Sequence, residues 1–557
     1  MSAGQSNLSD SHYGYDFVVA TTQESINGTM KEYLYNSTFP LVQMYWNQDE
    51  SGNPVAVSRD ELLQQTNGTD PLTVPSWKQG DPMTPAIQNI NNSNFYFAFE
   101  AAIGIPSGIA PPDIPDIVTL QAASQSVIFN LICAQFTVVT CVFGKHGLTS
   151  FESASQPADT PWLFTSTVPL KQVIDNANLP PAVQAQLNNL GPDAFSVQQL
   201  FFDLDNAALE STPTISGVEA GTPAYTQLSQ AFLGAYFSAM KANAQPVLNY
   251  SILQNTPSGD TSTLRLTKME MEVSPYEPAS TATNNLNTLN YLCETNGNNL
   301  PPPVPFSWNW VEQSEESSFD GVISINRDTF ATYFEDQLTN YITRTCYKAW
   351  VRVWLSGVFD QNIHYRWSMT PGQSPTISRP STGDVVLAYS YSSSADDDAG
   401  LRGGMGAMTL STSYNASVSF TGNTIVIAQT FLVHVHVRSL QSSESWNPIN
   451  KTITDTYTLA VGQDGHLTAS LNSVPVDNSG STPSTNWFIE IFTDLNDLVK
   501  GVASWASAFG ATAFHDIPVN VAQQFVFPGG KTFAFKDVEF STNQDMVSHI
   551  AYVQPEA

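Results

Sequence analysis

The chain repeats itself. Tyr15-Asp-Phe-Val-Val-Ala-Thr-Thr-Gln-Glu-Ser-Ile-Asn-Gly-Thr-Met-Lys-Glu-Tyr-Leu34 aligns without a gap on Phe319-Asp-Gly-Val-Ile-Ser-Ile-Asn-Arg-Asp-Thr-Phe-Ala-Thr-Tyr-Phe-Glu-Asp-Gln-Leu338, at an offset of 304. Each copy opens on aromatic-Asp, runs through a short β-branched strand and enters a helix. Thr21-Thr-Gln-Glu24 has the form of a capping box. Ile26, Met30, Tyr33 and Leu34 make one apolar stripe; Phe330, Phe334, Leu338, Tyr341 and Ile342 make the other. A second match closes each copy: Thr263–Glu272 resembles Thr532–Ser541 at an offset of 269. Before each lies a Pro-Val pair, Pro246-Val247 and Pro518-Val519, and before that a long helical pattern. The first pattern, Ala224–Ala242, puts Leu228 and Phe232 on one face; the second, Trp487–Ala508, puts Leu495, Leu498 and Val502 on one face. A shared order of strand, helix, β body, helix, Pro-Val and strand predicts two modules, 1–273 and 319–557. The Pro- and Asn-rich stretch 274–318, with its Pro301-Pro-Pro303 run, reads as a linker.

The bodies between the helices read as β. Trp350–Leu355, Ile363–Met369, Val385–Ser393, Met408–Phe420, Thr424–Arg438 and Thr452–Val461 alternate or are β-branched. Several are long for strands, and long twisted antiparallel strands can curl around a helix. Val118–Gly144 has no charged residue and is long enough to span a bilayer. Its polar residues and its period of two predict two buried strands and no spanning helix. The expected class is α+β.

Charge excludes some partners. Twenty Lys and Arg stand against 50 Asp and Glu, a formal net charge of −30 in 557 residues. A nucleic-acid binder needs a basic face, and docking on anionic headgroups by charge is equally disfavoured. Yet only 13% of residues are charged and 41% are hydrophobic, so the chain is no disordered polyanion. Ser, Thr, Asn and Gln take the place of charge, as suits exposed sheet. The polar start MSAGQSNLSD shows no secretory signal, which points to the cytoplasm. Cys133, Cys141, Cys293 and Cys346 form no C-x-x-C pair and read as reduced, structural thiols.

Catalytic and metal signatures are missing. No G-x-S-x-G, H-E-x-x-H or Walker loop occurs. His434 and His436 share a strand face, but no third ligand stands at a telling spacing. Asp396-Asp-Asp398 lacks the calcium-loop spacing and reads as a solvated hairpin loop. Asp203 and Asp205 read as a surface strand face. The expectation is a protein with no cofactor, no metal and no catalysis.

With Tyr15-Asp-Phe-Val-Val, Ile26-Asn27 and Val197-Gln-Gln-Leu-Phe-Phe-Asp-Leu-Asp205, the chain resembles the tubular lipid-binding (TULIP) superfamily. Its likeness within that superfamily is to the two-module, cytosolic-type accessory proteins of clostridial neurotoxin gene clusters. The resemblance implies two tandem modules, each a long curved antiparallel sheet wrapped around two helices. It also implies a lipid or other elongated apolar small molecule held in the interior by its tail. In such a tube Ile26, Met30, Leu34, Leu228, Phe232, Phe330, Phe334, Leu338, Leu495, Leu498 and Val502 line the ligand site. The same residues serve equally as solid core. That leaves a second reading, an accessory subunit whose filled modules present surfaces to a protein partner.

Overall fold

The computed structural model describes residues 2–36, 41–121, 126–158, 161–174, 179–190, 195–202, 214–215, 225, 247–254, 264–280, 283–357, 362–402, 406–439, 443–463, 465, 467–480, 522, 524–527 and 530–554. Most of them lie in antiparallel sheet, with few helices and a sheet curled into a half-barrel. The expected helices over Ala224–Ala242 and Trp487–Ala508 fall outside the described residues, Tyr225 excepted.

The repeated motif builds the centre. Phe17–Thr22 and Gly321–Ile325 pair antiparallel, with Val19 opposite Ile323. Those two residues are mates at the offset of 304, so a local two-fold runs between the copies. Atomic detail obeys it. The backbone N–H of Asp16 donates to Cys293 O at 3.0 Å, and that of Asp320 to Ile550 O at 2.9 Å. The Asp16 carboxylate accepts from Thr295 N, and the Asp320 carboxylate from Tyr552 N, each at 2.7 Å. Asn326 N donates to Asp16 O and Thr22 N to Asp320 O. The aromatic-Asp signature is therefore a strand-end clamp used twice.

Around this pair the central sheet runs Leu266–Ser274, Thr288–Thr295, Phe17–Thr22, Gly321–Ile325, Met546–Val553 and Thr532–Phe535. The order is palindromic about the two-fold. Residues 274–318 thus hold more structure than their composition predicts, because Thr288–Thr295 lies fully buried beside Phe17–Thr22. The ladder also moves the second sequence match. Met269 faces Cys293 and Phe535 faces Ile550, so Met269 corresponds to Phe535 at an offset of 266, not 269.

Both faces of the central sheet are covered at its middle, which is why Phe17–Thr22 and Gly321–Ile325 are buried throughout and show no alternation. Val18, Ala20, Leu292 and Val322 pack under an aromatic cap of Tyr13, Tyr15, Phe306, Trp308 and Trp310. Phe17, Val19, Tyr291 and Ile323 turn the other way, into a much larger apolar body. A helix follows each repeated strand. Gln23–Asn36 is capped by Thr22, whose Oγ1 accepts from Ser25 N at 3.2 Å. The cap thus sits one residue later than the predicted Thr21–Glu24 box. Arg327–Thr345 is capped by Asn326, its mate.

Each helix faces a large sheet. In the first half the uncharged stretch forms two strands that pair antiparallel, the short Val118–Leu120 and Ser126–Gly144, of 19 residues. The longer one pairs along successive parts of its length with Leu163–Ile174, Phe95–Ile103 and Gly147–Ser155. In the second half Val385–Asp398, Ala407–Thr421, Thr424–Arg438, Ser443–Val461 and Leu467–Asp477 follow one another as a meander. Its inner face carries Leu410, Tyr414, Val418, Ile427, Phe431 and Tyr457. Its outer face carries Ser411, Ser413, Asn415, Ser417 and Ser419. Among the described residues no helix is long and apolar enough to cross a membrane.

Candidate functional site: the apolar interior

The helix stripes enter one continuous apolar body. Ile26, Met30 and Leu34 lie buried in it, as do Phe330, Phe334 and Leu338. The 3.6-residue period puts each trio on one side of its helix, and the inner faces of the sheets meet that side. Leu228, Phe232, Leu495, Leu498 and Val502 lie outside the described residues.

Polar groups are built into this interior. Asn27, one residue beyond Ile26, clamps the strand Val118–Leu120 to its helix. Its Oδ1 accepts from Ile117 N at 2.8 Å and Val118 N at 2.9 Å, and its Nδ2 donates to Val118 O at 2.8 Å. Gln23, one turn earlier, accepts from Leu120 N. In the second half a buried chain crosses the sheet. Tyr414 Oη donates to Gln429 Oε1 at 2.9 Å, and Gln429 Nε2 donates to Asp455 Oδ2 at 3.2 Å. Asp455 is fully buried, and its Oδ1 makes no hydrogen bond. Ser473 lies across the ladder from it. Burial raises the Asp455 carboxyl above the usual carboxylate range, with Ser473 and Gln429 pulling the other way. Sequence reading missed this chain. Its only signal is a polar residue at an inward position of each strand, at Gln429 and Asp455.

The other candidates separate. Asp396-Asp-Asp398 ends the strand Val385–Asp398 and forms no loop, because it pairs with Ala407–Thr409 in the ladder; Asp397 Oδ2 also accepts from Val353 N at 2.7 Å. His434 points outward, 2.8 Å from Asn447 Oδ1 and 3.1 Å from Ser445 Oγ. Asp203 and Asp205 fall outside the described residues. All four cysteines are buried free thiols; burial pushes Cys346 up to about 12. Among the described residues no cluster of three His, Cys, Asp or Glu could hold a metal.

No protein-family model matches the chain, and no curated protein matches it. Among solved structures it is similar to a lipopolysaccharide binding protein at 10% identity, over 97% of this chain and 99% of that one. The TM-score is 0.28. At that score the likeness decides neither fold nor ligand.

Proposed function

We propose that the protein binds an elongated apolar ligand, such as a lipid, in the interior of two TULIP-like modules joined through the central sheet. One observation carries the reading. The stripes of both repeated helices feed a single apolar body that reaches the inner faces of both large sheets, and a carboxyl oxygen of Asp455 is left unpartnered inside it. Burying a polar group without a partner is costly, so a hydrogen-bond donor on a ligand head is the natural occupant of that position. The tail then lies along Phe330, Phe334 and Leu338. This is a binding role without turnover.

Native mass spectrometry of the purified protein tests it, together with extraction into organic solvent. A mass excess of a lipid-like molecule, or uptake of added fatty acid, is expected. Asp455→Leu should weaken retention of ligands with a hydroxyl head more than of plain hydrocarbons. A clean ligand-free mass and no uptake would sink the proposal.

A further inference from the structure

Among the described residues, Lys348–Ser356 and Asn362–Thr370 form a ribbon of their own, paired only with each other. Alternation sends Ala349, Val351 and Val353 into the core. The opposite face carries Lys348, Trp350, Arg352 and Trp354, and across the ladder Ser368, Arg366 and His364. Neither strand contains an Asp or a Glu. Trp350 is 44% exposed and Trp354 38%. Among the described residues no ion pair engages Lys348, Arg352 or Arg366. Asp397, at the junction with the next strand, is held by Val353 N. In a chain of net charge −30, three unpaired cations interleaved with two exposed tryptophans are a local inversion of the whole surface.

We infer that this face docks the protein on an anionic phospholipid bilayer. Tryptophan favours the headgroup level of a membrane, and flanking Lys and Arg meet the phosphates. Single-stranded nucleic acid also uses cations and aromatic rings, but it needs open ring faces for base stacking. The Trp354 ring is already stacked on His364, at 5.2 Å and 18°, and Arg352 lies 5.9 Å from its centre. That leaves the ring edge to enter a headgroup layer. The acidic remainder of the surface, repelled by the same membrane, turns this face toward it. Net charge predicts no headgroup docking; the ladder overrides that expectation locally by bringing Arg352 and Arg366 opposite each other. The inference stands apart from the interior ligand.

The test is sedimentation of the full chain with phosphatidylcholine vesicles, with and without phosphatidylserine. Binding only to the phosphatidylserine vesicles, weakening with salt, is expected. Each cation near the surface is worth about fivefold, so Arg352→Glu with Arg366→Glu should lower the partition by about 25-fold or more. Both side chains are exposed, so the thermal midpoint and far-ultraviolet spectrum should hold, as should any interior ligand in the native mass. Wild-type protein that ignores phosphatidylserine, or a double variant that binds like wild type, overturns the inference. So does a chain that ignores vesicles but binds a single-stranded RNA oligonucleotide and loses it on the same change.

Discussion

Gly321 stands where the two copies touch, opposite Thr21 in the ladder. A Cβ built there would lie 2.0 Å from the carbonyl oxygen of Ala20, a backbone atom that cannot rotate away. Its mate at the offset of 304 is Phe17, so the two-fold breaks at the position where a side chain has no room. Gly321→Ala should therefore separate the central strands. The expected outcome is a fall in the urea midpoint of at least several tenths of the wild-type value, or insoluble protein, whereas Gly28→Ala, with helical backbone and nothing within 4 Å of the added Cβ, should express normally. Glu294, in the neighbouring strand, makes a different demand. It is 1% exposed, and burial, with the nearby Asp16 charge, raises its carboxyl to about 7 against the ordinary 4.5. Between those values the folded chain holds a proton that the unfolded chain releases, so stability falls as pH rises from 4.5 to 7. Glu294→Gln should remove that slope and stabilise the protein at pH above 7, by on the order of 2–3 kcal/mol. Thermal midpoints of both proteins across the range check it; parallel curves would contradict it.

Among the elements, Gln23–Asn36 depends on a polar residue as much as on its apolar stripe. Asn27 satisfies two backbone N–H groups and one carbonyl of residues 117–118, all buried. Replacing it by Ala orphans them, at about 2–5 kcal/mol in total. Asn27→Ala should show that loss as a lower denaturant midpoint with an unchanged slope; a loss below about 1 kcal/mol would mean that water or a rotated backbone takes over the clamp. The helix was legible in its stripe of Ile26, Met30 and Leu34, and the long meander in its alternation, since one face meets water. Thr288–Thr295 was not: buried on both faces, with Asn290 and Glu294 among its residues, it shows neither alternation nor a hydrophobic run. Its flanking prolines read as linker because they serve the aromatic cap. Asp396–Asp398 misled for a related reason. A charge run suggests a loop unless a neighbouring strand pairs with it, as Ala407–Thr409 does here. The candidate ligand site was legible only as stripes, because Tyr414, Gln429 and Asp455 come together through strand register rather than spacing.

For the whole molecule, the palindromic sheet sets what can be divided. Phe17–Thr22 takes one neighbour from Thr288–Thr295 and the other from Gly321–Ile325, both beyond residue 273. A chain ending at 273 leaves that strand with two open edges and strips the aromatic cap from its outer face. Exposed apolar edges of this kind pair with whatever strand is available, so such a chain should aggregate. Extending it to 318 restores Thr288–Thr295 and the cap of Phe306, Trp308 and Trp310, but still leaves the edge that Gly321–Ile325 closes. Late residues also return to the first half: Phe525–Val526 pairs with Val247–Gln254, and Gln524 accepts from the backbone N–H of Leu266. Among the described residues the halves are therefore joined by two strand pairs, Phe17–Thr22 with Gly321–Ile325 and Val247–Gln254 with Phe525–Val526, and not only by a tether. The full chain should unfold in one cooperative transition, with calorimetric and van't Hoff enthalpies in agreement. Intrinsic fluorescence, dominated by tryptophans in the cap and in both halves, should lose its signal together with the far-ultraviolet spectrum. Two resolved transitions, or a soluble and cooperatively folding 1–273 fragment, would show that the central sheet is a contact between independent modules rather than their common core.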